Sequence, residues 1–512
     1  MDPLISTLAA RAATLYGDEL AVSVVGGPTL SFREVEMRAS RFAGGLRGLG
    51  MRRGDRALLH LPNGWQWIVA YHAIARLGGV VVPANILLSA DEVAYMASDS
   101  GARFAILSEE KCALVNEALH RFTTELCCIT TSARPDFKHV SFDSLLDGES
   151  AKPEEIAPDD LLSIGYTSGT TGKPKGAMLT HRNVFMSAAL TATIHVRQRG
   201  EATITALPLP HVYGNIVMNA AILVGMRLVI LERFDAGVVL RAIQSERAAI
   251  FEGVPTMFYY MLAHEALAHT DLSSLRCCTV GGQTIPKAKV DAVVESFGCS
   301  LLELWGMTEV AGPAASHSPY WPPRPGSIGL PFPSMEMKVV DLEEQQRELP
   351  PNEPGELLVR GALVSRGYWA NEEATRASFT RDGWFLTGDV ACKDDDGYFH
   401  IVDRKKDLII TAGYNIYPAE VEQAIATHAA VAMVAVAGIA DEEKGELAQA
   451  FIVVREGFSV TAQEIVQHCR TLLAAYKVPK AVRFLSDLPK TSTGKVLRRE
   501  LRTLAGGDAR LN

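Results

Sequence analysis

Leu162-Ser-Ile-Gly-Tyr-Thr-Ser-Gly-Thr-Thr-Gly-Lys-Pro-Lys-Gly176 joins an apolar run to a loop of small, hydroxylated and glycine residues. The run from Leu161 to Ile164 predicts a buried strand. It breaks into Thr167, Ser168, Gly169, Thr170, Thr171 and Gly172, then Lys173 and Lys175 around Pro174. Glycines let successive backbone N–H groups converge on one anion. The hydroxyls add donors and the lysines add charge, which is chemistry for holding a polyphosphate. The common nucleotide loop is a different pattern. It needs glycine where this chain has Thr167, and Ser or Thr where it has Pro174.

This loop resembles the phosphate loop of the adenylate-forming enzymes, which include acyl-CoA synthetases, luciferases and the adenylation domains of peptide synthetases. That family activates a carboxylic acid with ATP. The resemblance runs from about Leu4 to Arg499, through several separate motifs in the family's order.

Around the loop, the chain alternates strands and helices. Val22-Ser-Val-Val, Arg56-Ala-Leu-Leu-His-Leu, Gly79-Val-Val-Val-Pro83 and Phe104-Ala-Ile-Leu107 predict strands. Trp65 to Leu77 reads as an amphipathic helix, and Ser31 with Glu34 as a capping box. Residues 147–160 are polar and carry prolines, which predicts a surface connection leading to the loop. Alternation resumes after the loop and predicts an α/β fold of layered sheets. From Met335 the texture changes to short β runs, a β-rich subdomain over about 335–402. Asp403-Arg-Lys-Lys-Asp-Leu is a charged break. The expected division is a large N-terminal domain, 1–403, and a small mobile α+β C-terminal domain, 404–512.

A length of 512 residues exceeds one core, so two or more domains are expected. The net charge of −9, with no basic run, argues against nucleic acid as a partner. The eight cysteines lack metal-ligand spacing and read as reduced thiols of a cytoplasmic protein. No signal peptide is apparent at Met1-Asp-Pro-Leu-Ile-Ser. The most apolar run, Ile216 to Leu231, carries Asn219, Gly225 and Arg227, so no integral membrane segment is read there.

The resemblance implies roles for further residues. Leu304-Trp-Gly-Met-Thr-Glu309, placed after a strand end, is similar to the family's Tyr-Gly-x-Thr-Glu motif. Trp305 would lie beside the adenine and Thr308 would touch the α-phosphate. Glu309, with Thr167, would hold Mg2+, a hard cation suited to oxygen ligands. Asp389 in Thr387-Gly-Asp389 would take the ribose hydroxyls, with Arg404 beside it. Lys406 matches the family's hinge. Gly413 and Tyr414, in Gly413-Tyr-Asn-Ile-Tyr-Pro-Ala-Glu420, would line the coenzyme A tunnel. Lys495, in Lys490-Thr-Ser-Thr-Gly-Lys495, would contact both the substrate carboxylate and the α-phosphate.

On the acid side, His211 in Leu207-Pro-Leu-Pro-His-Val-Tyr-Gly214 would be a gate to the acyl pocket. Gly253-Val-Pro-Thr-Met-Phe258 would form a further wall. Gly281, Gly282 and Gln283 would form another while also passing the adenine. Adenylation domains for amino acids place an Asp near the His211 stretch to hold the substrate ammonium. Residues 206–231 contain no acidic residue, and an unpaired ammonium there is costly. Tyr213, Val217, Met218 and Met257 point to an apolar acid.

The reading is an acyl-CoA synthetase using ATP, Mg2+ and coenzyme A on a medium- or long-chain fatty acid. An aryl or cinnamate-type acid is the runner-up, and transfer to a carrier-protein thiol is the alternative acceptor. A non-catalytic binding protein of the same fold is disfavoured because Lys495 and Glu309 are both present. The resemblance also implies a homodimer.

Overall fold

The apolar run before the loop forms the strand Leu161–Thr167, which pairs antiparallel with Lys175–Thr180. In the computed structural model, this hairpin closes one edge of a seven-stranded sheet. The model describes residues 3–122, 126–131, 139–167, 174–412, 414–441, 443–490 and 496–505. From the far edge, the sheet runs Val140–Ser141, Cys127–Thr130, Phe104–Leu107, Arg56–His60 and Val80–Pro83, all parallel, before Leu161–Thr167.

A second sheet has nine strands. Its parallel centre is Ser300–Met307, Cys277–Val280, Ile250–Gly253, Ala202–Thr205, Arg227–Ile230 and Leu20–Val24. Antiparallel strands finish both edges. Parallel strands are covered by crossover helices on both faces, which is why their sequences read as continuous apolar runs. One continuous core joins the two sheets. It includes Leu59, Ile106 and Leu162 from the first and Ile204, Leu228 and Leu301 from the second.

The β-rich texture after Met335 becomes a four-stranded antiparallel sheet of Met335–Val340, Gly355–Gly361, Phe385–Lys393 and Phe399–Arg404. Beyond it, Tyr414–Ile416, Ile409–Thr411, Gly445–Val454, Val431–Asp441 and Ala481–Phe484 form a fourth sheet. Helices Pro418–Ala426 and Ala462–Leu472 pack against that sheet. Ile409, Val421, Ile425, Val436, Ile452 and Ile465 form a core of their own.

The predicted capping box is present. Ser31 Oγ accepts from the Glu34 N–H at 3.2 Å, and the Glu34 carboxylate accepts from the Ser31 N–H at 2.8 Å. Two local expectations are corrected. The helix Trp65–Arg76 is buried from Trp67 to Arg76 rather than amphipathic, because it lies inside the core against the helix Phe32–Gly48. Its one charge, Arg76, is matched by Glu36 through contacts of 2.6 and 3.0 Å.

The polar stretch 147–160 runs over the surface as the sequence predicts, a strap anchored by buried Ala151 and Ile156. The Ala151 N–H donates to the Ser40 carbonyl at 2.8 Å, and its own carbonyl accepts from Arg76 Nε at 2.6 Å. A Cβ at Gly44 would lie 1.8 Å from the Glu149 carbonyl oxygen, so glycine is what admits the strap. Finally, the charged break begins inside regular structure. Asp403 and Arg404 are the last two residues of the strand Phe399–Arg404, and Asp403 is buried.

Candidate active site

The segment Leu304–Met307 does not follow a strand end, as the sequence suggested, but is the second half of the strand Ser300–Met307. Through Glu303 this strand pairs in parallel with Cys277–Val280. From Leu304 it pairs antiparallel with Gly312–Ser316. The parallel neighbour has ended by then, so the strand carries Trp305 past the sheet's carboxyl edge, where open parallel sheets bind ligands. Gly281 and Gly282 continue from that neighbour. A Cβ at Gly281 would fall 2.3 Å from Leu304 Cδ1, and Gly282 has a φ of +89°, so both positions favour glycine. Gln283 follows them in the chain.

Trp305 is buried, and its indole N–H donates to Asp389 Oδ2 at 2.8 Å. The other oxygen, Asp389 Oδ1, accepts from Arg404 Nε at 2.9 Å. Asp389 and Arg404 face each other in the register of two paired strands. Asp389 holds the Arg404 guanidinium firmly charged. The Asp389 N–H is held by Thr387 Oγ1 at 3.0 Å, and that hydroxyl donates to the Leu357 carbonyl at 2.7 Å. A carboxylate has about four lone-pair directions. Two are used here, so each oxygen retains capacity to accept from another hydroxyl.

The turn Thr308–Val310 places Thr308 against the first sheet. A Cβ at Gly165 would sit 2.6 Å from Thr308 Cγ2, so Gly165 lets the two segments touch. Glu309 is buried, and burial raises its pKa. Its Oε1 accepts from the Tyr368 hydroxyl at 2.8 Å, and its carbonyl accepts from the Ser365 N–H at 2.7 Å. The Tyr368 ring also carries the Lys175 ammonium 5.3 Å from its centroid. Tyr368 therefore links the base of the glycine-rich loop to Glu309. Sequence reasoning missed Tyr368, since no local pattern ties it to a carboxylate so distant in the chain.

At that loop's base, Thr167 pairs with Lys175, and Thr167 Oγ1 donates to the Lys175 carbonyl at 3.4 Å. Ser168, Gly169, Thr170, Thr171, Gly172 and Lys173 lie outside the described residues, as do Gly413 and Lys495.

His211 caps the helix Val212–Val224, its Nδ1 accepting from the Tyr213 N–H at 3.3 Å. It lines a cavity of about 60 Å³ together with Thr308, Tyr71, Ser163, Gly165 and Asn215. The structure thus joins His211 and Thr308, which are distant in the chain. Val217 and Met218 are fully buried in the core. The Tyr213 hydroxyl lies 2.5 Å from Thr279 Oγ1. Thr279 also bonds Glu252, which pairs with Arg197 where both side chains are inaccessible to solvent. This polar group is a second feature the sequence did not suggest.

Lys406 follows the Asp389–Arg404 pair, and burial, with Arg404 nearby, lowers its pKa. Asp403 Oδ2 accepts from the Ala419 N–H at 2.8 Å, tying the four-stranded sheet to the helix Pro418–Ala426. Tyr414 is exposed with its ring against Tyr476, and the described contacts do not join it to Trp305, Asp389 or Arg404.

The donor set suits magnesium carried on a polyphosphate. Among the described residues, no group of three His, Cys, Asp or Glu side chains could hold a metal ion. One carboxylate, Glu309, and one hydroxyl, Thr167, are what such an ion takes when phosphate oxygens supply the rest. No helix among the described residues is long and apolar enough to cross a membrane.

Residues 9–369 match the family model described as AMP-binding enzyme, and residues 420–495 match the AMP-binding enzyme C-terminal domain. The chain is 34% identical to a long-chain-fatty-acid–CoA ligase of Bacillus subtilis, covering 97% of this chain and 94% of that protein. It is 36% identical to a feruloyl-CoA synthase of an Amycolatopsis species, over 94% and 95%. The solved structure of an anthranilate CoA ligase in complex with anthranoyl-AMP superposes with a TM-score of 0.92 at 28% identity, over 98% and 97%.

Proposed function

This chain belongs to the AMP-binding enzyme family as an ATP-dependent acyl-CoA ligase, and we propose that its acid is a medium- or long-chain fatty acid. The observation that carries the proposal is the electrostatics of the acid side. Residues 206–231 hold no carboxylate. The acidic group near Tyr213, Glu252, is already neutralised by Arg197. No carboxylate in that stretch compensates a substrate ammonium, and Tyr213 and Met257 are packed in the core. The fatty-acid ligase relative supports the same reading.

In the proposed mechanism, the substrate carboxylate enters past His211 and meets the α-phosphorus of ATP at Thr308. A new P–O bond forms as the bond to the bridging oxygen breaks, and pyrophosphate leaves. Asp389 receives the ribose hydroxyls, steadied by Arg404 and Trp305. The 167–175 loop cradles the phosphates, and Gly281, Gly282 and Gln283 pass the adenine. Glu309 and Thr167 would hold Mg2+, which supplies charge neutralisation on the phosphates. Lys495 offsets the repulsion between the two anions, a fixed charge placed where charge accumulates.

The two domains of the proposal divide at 403/404, supported by the separate core beyond Ile409. Rotation about Lys406 then exchanges Lys495 for Gly413 and Tyr414. The coenzyme A thiolate attacks the acyl carbon, a C–S bond forms, and AMP leaves with the C–O electron pair. The cysteines are all free, which fits a reducing cytoplasm. A homodimer rests on the family resemblance alone.

A second reading is an aryl acid, which the feruloyl-CoA synthase relative supports. Pyrophosphate release with Mg-ATP against a panel of fatty and aryl acids, with and without coenzyme A and with products read by mass, decides. The expected product is a fatty acyl-CoA. Turnover of aryl acids alone selects the second reading. Adenylate untouched by coenzyme A moves the acceptor to a carrier-protein thiol.

A further inference from the structure

The chain around the proposed catalytic lysine closes on itself. Lys490 and Val496 form an antiparallel bridge, and the Leu497 N–H donates to the Pro489 carbonyl at 2.8 Å. Whatever holds Lys490 therefore fixes the base from which Lys495 is presented. That holder comes from the other side of the molecule. Tyr260 lies on the helix Pro255–Ala263, directly after the strand Ile250–Gly253 of the nine-stranded sheet. Its hydroxyl accepts from Lys490 Nζ at 2.7 Å, and the ammonium lies 5.2 Å from its ring centroid. Asp487, the ion-pair partner of Lys490, approaches the same hydroxyl at 3.5 Å. Phe234 backs the ring at 6.3 Å between centroids. The Lys490 side chain is 17% exposed, so the contact covers the ammonium on several sides.

Tyr260 lies on the exposed face of a helix whose Met257, Phe258 and Met261 belong to the core shared by the two large sheets, and Lys490 lies in the chain beyond the C-terminal core. A side-chain contact between separately built units exists in one relative orientation and is lost when they turn. We propose that Tyr260 is a positioning residue for the first half-reaction. It docks Lys490, at the described start of the segment that carries Lys495, and it must let go before thioester formation. This rests on the two-orientation reading above. A second spanning contact, Asp403 with the Ala419 N–H, sits beside the pivot at Lys406. The Tyr260 contact is made to Lys490, five residues before Lys495, so it tests the segment that carries that lysine rather than chain linkage.

The test uses the full chain and separates the half-reactions. Acid-dependent exchange of pyrophosphate into ATP reads adenylation, and conversion of supplied acyl-AMP with coenzyme A reads transfer. Tyr260→Ala is expected to lower exchange about ten-fold with transfer unchanged or faster. Tyr260→Phe keeps the ring and loses the hydroxyl, so a drop of about three-fold is expected. Lys490→Ala should match Tyr260→Ala, and the double variant should be no worse than either single one, since both remove one contact. Unchanged exchange in Tyr260→Ala, an equal fall of both half-reactions in folded protein, or losses that multiply would overturn the proposal. Absence of acid-dependent exchange in the unsubstituted chain would overturn the adenylation reading itself, and this one with it.

Discussion

The two sides of the candidate site are held in opposite ways. The nucleotide side is part of the sheets. Trp305, Asp389 and Arg404 sit on three strands whose backbones are locked in ladders, and their side chains bond one another directly. The lysine side rests on Tyr260 through a side-chain contact of Lys490, with Tyr260 40% exposed. Ladder-bound groups keep one geometry whatever is bound. A single exposed contact is weak enough to be exchanged at little cost. The difference is what the proposal needs, a recognition side that stays fixed and a lysine side able to move.

The strongest challenge to the rigidity of the sheet-held part of the site is Glu252→Gln, on the acid side, in the strand Ile250–Gly253. It leaves Arg197 buried without its counter-charge, and Arg197 Nε and Nη1 already lack hydrogen-bond partners among the described residues. A loss of about 3 kcal/mol is expected, read by denaturant unfolding. A smaller cost would mean this wall is softer than its burial implies.

Lys495→Ala tests the moving side. Adenylation should fall about a hundred-fold while transfer from supplied acyl-AMP is largely kept. Equal failure of both steps in a folded variant would remove the contrast altogether. Asp389→Asn weakens the pairing with Arg404 and the ribose site together. The expected result is a rise of about ten-fold in KM for ATP, with the acid's KM little changed.

The smallest effect is a pH dependence inside the rigid side. Burial raises the Glu303 pKa from 4.5 to about 8, and its carboxyl accepts from the Gly326 N–H. The folded chain thus keeps this proton where the unfolded chain has lost it, so stability falls as pH rises from about 4.5 to 8. Glu303→Gln mimics the protonated form. Its melting temperature should equal that of the unsubstituted chain near pH 5 and exceed it by about 1–2 °C near pH 8. Buried His72 and His195, both lowered to about 3, act oppositely, costing stability as pH drops below 6.5. The difference between the two proteins cancels their contribution.

Local sequence carried much of this. Apolar runs bounded by glycine and proline place the strands because a buried parallel strand needs apolar residues on both faces. The Ser31–Glu34 cap was legible because its partners are three residues apart. The helix Trp65–Arg76 was misread because its polar positions, such as His72 and Arg76, look solvent-facing until the elements packed around them are known. Tyr368 and the Glu252 group were illegible for a related reason, since their partners lie far off in the chain.

The sequence by itself determined the alternating α/β elements and the family resemblance. Both are written in contiguous residues, where spacing dictates geometry. The tertiary structure decided that Trp305 and Arg404 share the two oxygens of Asp389, that Tyr368 reaches Glu309, and that Lys490 rests on Tyr260. Such pairings join residues far apart in the chain. Packing of the sheets and their covering helices fixes them, and no local pattern encodes which distant side chains that packing will bring within a hydrogen bond.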